Sequence, residues 1–210
     1  MERIRQRKQP LQGRSRATTE ALLEATLQVL VREGYIRLTT TRVAERAGVS
    51  VGTLYQYFPD KRSLIMALKQ RYFALMLGAM KTALAASAGA SPQIMVRAAL
   101  AALIDVKREN VALSLALREP LAEPESNGVM AELMGQFIDM LTGTLAPSYP
   151  ARGDIKQRAA LLVAMIEGAM GHAVANAPHW LHEQWFLDDL TGVAVGYLNS
   201  LERSAEHSPS

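Results

Sequence analysis

The 210-residue sequence lacks cysteine and long apolar runs. Without cysteine it cannot form disulfides, thiolate zinc sites or a cysteine nucleophile. The longest stretches without a charged residue, Thr82–Val96 and Gly168–His182, span 15 residues each and contain proline or polar residues. A membrane span needs about 20 mostly apolar residues, and the basic N-terminus is followed by no apolar stretch. We therefore expect a cytoplasmic protein with neither a membrane segment nor a signal peptide.

Motifs of enzyme chemistry are also missing from the sequence. There is no glycine-rich phosphate loop, no Gly-x-Ser-x-Gly and no His-Glu-x-x-His. The group His179, His182 and Glu183 does not follow a known metal-ligand spacing. The sequence predicts a protein that is not an enzyme, with no catalytic residue, no bound metal and no cofactor.

Runs of alternating β-branched residues are absent, whereas helical periodicity extends over most of the chain. This pattern predicts an all-α protein. We divide it into a flexible basic arm (1–17), a small domain of three helices (18–63), a larger helical domain (64–204) and a disordered tail (205–210).

The net charge of +3 is distributed unevenly along the chain. Residues 1–72 carry a net charge of +8, and residues 73–210 carry −5. A basic N-terminal third joined to an acidic remainder is typical of a module that binds a polyanion such as a nucleic acid.

Three short helices are predicted between residues 18 and 58. The first ends at Gly34, because glycine commonly follows the last turn of a helix. Thr39 and Ser50 are suited to cap the second and third helices. These two helices are joined by a turn of about three residues containing Gly48, which readily adopts a positive φ. This arrangement is typical of a helix-turn-helix motif.

The helix that follows Ser50 has the properties of a recognition helix. It opens with Val51, Gly52 and Thr53, whose small side chains let the backbone approach a major groove about 12 Å wide. Its N-terminus presents free N–H groups and the positive end of the helix dipole to phosphate. Gln56 can pair bidentately with adenine, and Val51 can contact a thymine methyl group.

The segment Leu38–Leu64 resembles the DNA-binding domain of the tetracycline-repressor (TetR) family of bacterial transcription regulators. The similarity covers roughly residues 18–65. The matching features are Gly34-Tyr35, Thr39-Thr40, Ala44, Ala47-Gly48-Val49-Ser50, Gly52-Thr53-Leu54-Tyr55, Tyr57-Phe58 and Lys61.

The resemblance implies a role in DNA binding for ten residues. Positions that approach base edges in the family are matched here by Val51, Gly52, Tyr55 and Gln56. Positions that hold phosphates are matched by Thr40, Thr53, Tyr57 and Lys61. Thr41 matches a position that is basic and touches DNA in some relatives. Ser50, the predicted helix cap, completes the set.

Small residues recur every three or four positions along two helices of the second half. They are Ala164, Gly168, Gly171, Ala175, Gly192 and Gly196. Such stripes let helix backbones approach closely, either within one subunit or between two. TetR-like regulators dimerise through their last two long helices, so the resemblance implies a homodimer with this stripe at its interface. Such a dimer binds a palindromic operator in double-stranded DNA.

Methionine and aromatic side chains are frequent between the DNA-binding module and these helices. Methionine adapts to irregular apolar shapes, and relatives carry an effector pocket in this region. The resemblance therefore implies that residues 64–204 form a ligand-binding and dimerisation domain. The candidate pocket residues are Met95, Arg118, Met134, Phe137, Met165 and His172. The alternative is ordinary core packing for the apolar residues and surface contacts for the polar ones.

Together these features predict a DNA-binding transcription regulator of the repressor type, released from its operator by a small, largely apolar effector. One alternative is an activator or architectural protein that ignores small molecules. Another is a helical small-molecule-binding or enzymatic protein whose helix-turn-helix is vestigial.

Overall fold

The computed structural model describes residues 9–118, 127–145 and 155–206. All regular structure within these ranges is helical, which confirms the all-α prediction. The α-helices are α1 (Gln9–Glu33), α2 (Thr40–Ala47), α3 (Val51–Tyr57), α4 (Lys61–Ala86), α5 (Pro92–Glu109), α6 (Val111–Ala116), α7 (Asn127–Leu145), α8 (Ile155–Asn176) and α9 (Gln184–Glu206). A 3-10 helix, Pro178–His182, separates α8 from α9.

The ends of the chain differ in part from the expected arm and tail. Helix α1 begins at Gln9, so residues 9–17 of the predicted arm are helical. Pro10 lies in the first turn, where its missing N–H would have no partner in any case. Residues 1–8 of the arm lie outside the described residues. Helix α9 continues to Glu206, inside the predicted tail, and residues 207–210 again lie outside the described ranges.

The chain forms two compact units whose boundary falls inside α4. Unit 1 is Met1–Gln70 with Ala116–Ala122, and unit 2 is Arg71–Leu115 with Glu123–Ser210. The small predicted domain of residues 18–63 therefore lies entirely within unit 1.

The core of unit 1 is formed by the apolar faces of its first four helices. The apolar stripe of α1 is buried, including Leu22 and Leu30. Two polar contacts join α2 to α1 at the surface. Arg42 forms an ion pair with Glu33, and the Arg46 Nε donates a hydrogen bond to the Gln28 Oε1 at 2.6 Å.

Unit 2 contains α5, α7, α8 and α9, together with the second half of α4. Helix α9 packs on α5, α7 packs on α8, and the 3-10 helix contacts both α8 and α5. The ring of Trp180 in the 3-10 helix lies 5.2 Å from that of Trp185 and 5.9 Å from that of Phe186, measured between centroids. The His172 ring of α8 lies 5.6 Å from Trp180. This aromatic cluster fixes the connection between the last two long helices.

Asp60 caps the N-terminus of α4, as its position directly before Lys61 predicts. Its Oδ1 accepts a hydrogen bond from the Ser63 backbone N–H at 2.7 Å. The Asp60 backbone N–H in turn donates to the Ser63 Oγ at 3.3 Å. The hydrogen bond from the Ser63 backbone holds the pKa of Asp60 below its ordinary value of 3.8.

Replacing this cap is expected to destabilise unit 1 in a pH-dependent way. We expect Asp60→Ala to lower the free energy of unfolding by about 1 kcal/mol or less at neutral pH, because the carboxylate is exposed to solvent. Because the pKa of Asp60 is lower in the folded protein than its ordinary value of 3.8, the contribution of Asp60 to stability is complete above pH 3.8. This contribution is lost as the pH falls through the pKa of the folded protein. Urea unfolding of the wild-type protein and the variant, at neutral and at acidic pH, measures the difference in their free energies of unfolding. A difference that grows on acidification would contradict the assignment.

Candidate DNA-binding site

The turn between α2 and α3 has the geometry that its sequence predicts. The Thr39 Oγ1 accepts from the Arg42 backbone N–H at 3.3 Å and so begins α2. Gly48 ends α2 with φ 69°, in the left-handed region that favours glycine. Its N–H donates to the Glu45 carbonyl at 3.1 Å. The Ser50 Oγ then accepts from the Thr53 backbone N–H at 3.0 Å and begins α3.

Helix α3 has a buried face and a face open to solvent. Leu54 is completely buried, and Phe58 after the helix end is 8% exposed. The Tyr55 side chain is 51% exposed, although it is a large aromatic residue. Gly52 and Gln56 are also exposed, whereas Val51, Thr53 and Tyr57 are half-buried. Three of the four predicted base-reading residues, Gly52, Tyr55 and Gln56, therefore lie on the open side of α3.

Hydroxyl groups of α2 and α3 are joined across this face. The Tyr55 hydroxyl lies 3.2 Å from the Thr40 Oγ1, within hydrogen-bond distance. The Ser50 Oγ and the Thr53 Oγ1 are 2.8 Å apart. The first contact holds the exposed Tyr55 ring against the start of α2. The contact between Thr40 and Tyr55 thus joins α2 to α3, and Thr41 is also exposed.

Lys61 is held in place by Tyr35, a residue to which the sequence assigned no separate role. Its Nζ donates to the Tyr35 carbonyl at 3.0 Å and lies 3.8 Å from the centroid of the Tyr35 ring. A cation above an aromatic face is attracted by the ring quadrupole. The sequence feature that points to this role of Tyr35 is the Gly34-Tyr35 pair, because it belongs to the matched family features. Lys61 therefore presents a positioned charge rather than a freely moving one.

Gly52 is not required by the packing of the protein itself. A Cβ built at this position would meet only the Ser50 Oγ, at 3.8 Å, which is ordinary van der Waals contact. The absence of a side chain at this exposed position therefore leaves space outside the protein, directly above the first turn of α3.

Comparison with known proteins agrees with this geometry. Residues 22–68 match the family described as bacterial regulatory proteins, tetR family, and residues 91–198 match the tetracyclin repressor-like C-terminal domain. The chain belongs to the TetR family. The fold and the relatives are those of DNA-binding transcription regulators, which are not enzymes.

Three relatives illustrate the similarity of this TetR regulator to other proteins. An uncharacterised helix-turn-helix regulator of Xanthobacter autotrophicus is 27% identical over 163 residues, covering 76% of this chain and 81% of its own. The transcriptional repressor KstR of Mycolicibacterium smegmatis is 42% identical over 77 residues, covering 37% of each chain. A TetR family regulator of Marinobacter aquaeolei has the same fold, with a TM-score of 0.66 at 19% identity, covering 89% of this chain and 97% of its own.

In unit 2 of this TetR regulator, the stripe of small residues lies largely at the surface. Ala164, Gly168, Gly192 and Gly196 are exposed, and Gly171 and Ala175 are half-buried. A Cβ built on any of the four glycines would have no neighbour within 4 Å. Packing inside the subunit therefore gives no reason for glycine at these positions.

Unit 2 also contains a cavity of about 740 Å³ when the solvent at its mouth is included. Its walls come from α4, α5, α7, α8 and α9, and they are almost entirely apolar. Three of the predicted pocket residues, Met95, Met134 and Phe137, line it. Thr144 and Glu167 are the polar side chains among its described lining residues.

The other three predicted pocket residues lie elsewhere. Arg118 is exposed and belongs to unit 1. Met165 is 37% exposed on the outer side of α8. His172 is exposed, with its Nδ1 3.2 Å from the Asn176 Nδ2. None of them is a lining residue of the described cavity. Arg118 follows α6, which contributes no lining residue, and Met165 and His172 are exposed on α8.

The sequence interpretation did not identify the polar contact at the cavity wall. The Lys107 Nζ lies 3.2 Å from the Glu167 Oε2, and the Lys107 side chain is only 7% exposed. Lys107 follows Leu100 and Leu103 at helical spacing on the buried side of α5. This spacing is the sequence feature that points to the contact, since it places a lysine on an otherwise apolar helix face.

Proposed function

We propose that the protein is a homodimeric repressor that binds a palindromic operator and leaves it when a small molecule occupies the cavity of unit 2. The observation that carries the DNA-binding part is the open face of α3, where Gly52, Tyr55 and Gln56 are exposed. Similarity to KstR, a repressor, supports the sign of regulation. An activator would carry the same face and is distinguished by transcription measurements.

The test of operator binding uses DNA from upstream of the protein's own gene. Binding of the full chain is measured at two salt concentrations, with scrambled DNA as competitor. We expect tight binding that survives the competitor, with footprints on two half-sites one helical turn or a multiple apart. Binding that the competitor removes at both salt concentrations would contradict the proposed operator.

The surface of α8 supports the dimer part of the proposal. By length and composition this helix is apolar enough to cross a membrane, and only 33% of its most apolar stretch is buried. Leu161 and Met165 are exposed beside Gly168, and Val193 of α9 is 53% exposed. In a family of soluble DNA-binding proteins, a second copy of the chain would remove this apolar area from water.

Release by a small molecule follows from linkage between two conformations. A ligand shifts the equilibrium away from the DNA-binding form only by its difference in affinity for the two forms. The apolar cavity supplies a site at which such a difference can arise, because its walls come from five helices. The reciprocal effect must also appear, so operator DNA lowers the affinity for the ligand by the same factor.

Gln56 is expected to contribute to base selection rather than to general DNA affinity. We expect Gln56→Ala to lower discrimination between operator and mismatched DNA by about 1–3 kcal/mol, because a bidentate contact to one base is lost. Lys61→Ala is the comparison. It should weaken binding to all sequences alike and lower the slope of log affinity against log salt by about one. Binding titrations on matched and mismatched DNA measure both.

This division of roles has a clear contrary result. Equal losses on every sequence for both variants would show that Gln56 does not read a base. Because Lys61 also contacts Tyr35, its variant is compared at a temperature where circular dichroism shows it to be folded.

A further inference from the structure

The polar part of the cavity wall restricts the chemistry of a ligand, and this inference rests on the proposed effector site. Glu167 is a lining residue of the cavity, whereas its partner Lys107 is not among the described lining residues. The Glu167 side chain is 33% exposed and that of Lys107 only 7%. A ligand in the cavity would therefore lie beside Glu167 rather than beside Lys107.

Both polar lining residues carry hydrogen-bond acceptors, while the one hydroxyl proton among the described lining residues is already used. The Glu167 Oε2 accepts from the Lys107 Nζ at 3.2 Å, which leaves Oε1 and its lone pairs for a further donor. The Thr144 hydroxyl donates to the Met140 carbonyl at 2.9 Å. A ligand group that only accepts hydrogen bonds would find no free donor on the described lining side chains.

The charge of the ion pair also restricts the ligand. Lys107 and Glu167 together are neutral, so their mutual attraction offsets part of the cost of burial. An anionic ligand would add an unpaired negative charge beside Glu167, and a cationic one would leave a net positive charge in an apolar wall. Each ion buried without a partner costs several kcal/mol. A neutral donor adds a hydrogen bond without adding charge.

We propose that the effector is an uncharged, mainly apolar molecule with a hydroxyl group that donates a hydrogen bond to the Glu167 Oε1. The apolar body lies against Met95, Leu100, Leu103, Met134, Phe137 and Ile166, which line the same cavity. Lys107 acts as a positioning residue, because it holds the carboxylate in place from behind.

The test compares four probes with the same eight-carbon chain: octanol, octyl methyl ether, octanoate and octylammonium. Calorimetric titration of the full chain without DNA measures their affinities. We expect octanol to bind about tenfold more tightly than its methyl ether, since a hydrogen bond to a charged group is worth about 1.5 kcal/mol or more. Both ions should bind more weakly than octanol.

Two double variants separate this contact from general apolar binding. Lys107→Met with Glu167→Leu replaces the buried pair by apolar groups of similar size, a change that is often neutral or stabilising. It should bind octanol and the ether equally. Arg97→Met with Asp188→Leu removes an exposed ion pair of the same unit, 2.6 Å long, and should keep the preference for octanol.

The outcomes distinguish this inference from the proposed function. Tightest binding of octanoate or octylammonium, or an unchanged octanol preference in the first double variant, would overturn the inference while leaving the cavity as a ligand site. If no probe binds, the effector site and the inference both fail, and operator binding is unaffected. If octanol is preferred without releasing DNA, the inference stands and effector-controlled release fails.

Discussion

Gly52→Ala is expected to lower operator affinity by about tenfold to a hundredfold without lowering the stability of the protein. The added methyl group meets only the Ser50 Oγ at 3.8 Å, so the fold accepts it. Alanine is also the better helix former, by up to about 1 kcal/mol. On DNA, however, the methyl group would occupy the space above the first turn of α3 and hold the backbone away from the groove. Losing one or two base contacts costs about 1–3 kcal/mol each.

The matched control is Gly78→Ala, an exposed helical glycine of α4 with no atom within 4 Å of an added Cβ. It should keep wild-type affinity for the operator. Band-shift titration and thermal unfolding of the two variants separate the effects. Wild-type affinity in Gly52→Ala would show that α3 does not approach DNA closely at this turn.

Gly168→Arg is expected to separate the proposed dimer and to lower operator affinity by about a hundredfold or more. The glycine is exposed on α8 with open space around it, so a folded monomer accepts arginine. Two copies brought together along α8 would bury that charge without a partner. A monomer then binds one half-site, and specific affinity falls toward the non-specific level. Because arginine adds positive charge, a loss of DNA binding cannot come from repulsion of phosphate.

Gly78→Arg serves as the control, since it adds the same side chain to an exposed position of α4 outside the stripe. Sedimentation velocity measures the oligomeric state, and the same samples are titrated with operator DNA. A Gly168→Arg protein that remains dimeric would place the interface elsewhere.

Local features of the helix-turn-helix were predictable from sequence because short-range chemistry determines them. Thr39, Gly48 and Ser50 occupy the cap and turn positions that these residue types favour. The all-α fold followed from periodicity in the same way. Helix α1 begins earlier than the predicted domain boundary at residue 18, because a helix tolerates proline, here Pro10, in its first turn.

The cavity was predictable only in part, because its walls come from residues that are distant in sequence. Met95 and Phe137 were identified because this part of the sequence is rich in methionine and aromatic residues. Met165 was identified for the same reason, but its side chain faces outward. Which side of α8 faces the cavity depends on how five helices pack. The positions of the methionines in the sequence do not reveal this packing. The pair of Lys107 and Glu167 joins residues 60 positions apart.

The aromatic cluster after α8 has a practical consequence. The chain contains two tryptophans, Trp180 and Trp185, and both belong to this cluster. Trp185 is 43% exposed, and the ring of His172 on the exposed face of α8 adjoins Trp180. Because unit 1 contains no tryptophan, the tryptophan emission of the whole protein comes from one corner of unit 2. A change in the solvent exposure of this corner can therefore be followed through tryptophan emission, with no label attached and no tryptophan signal from the DNA-binding helices.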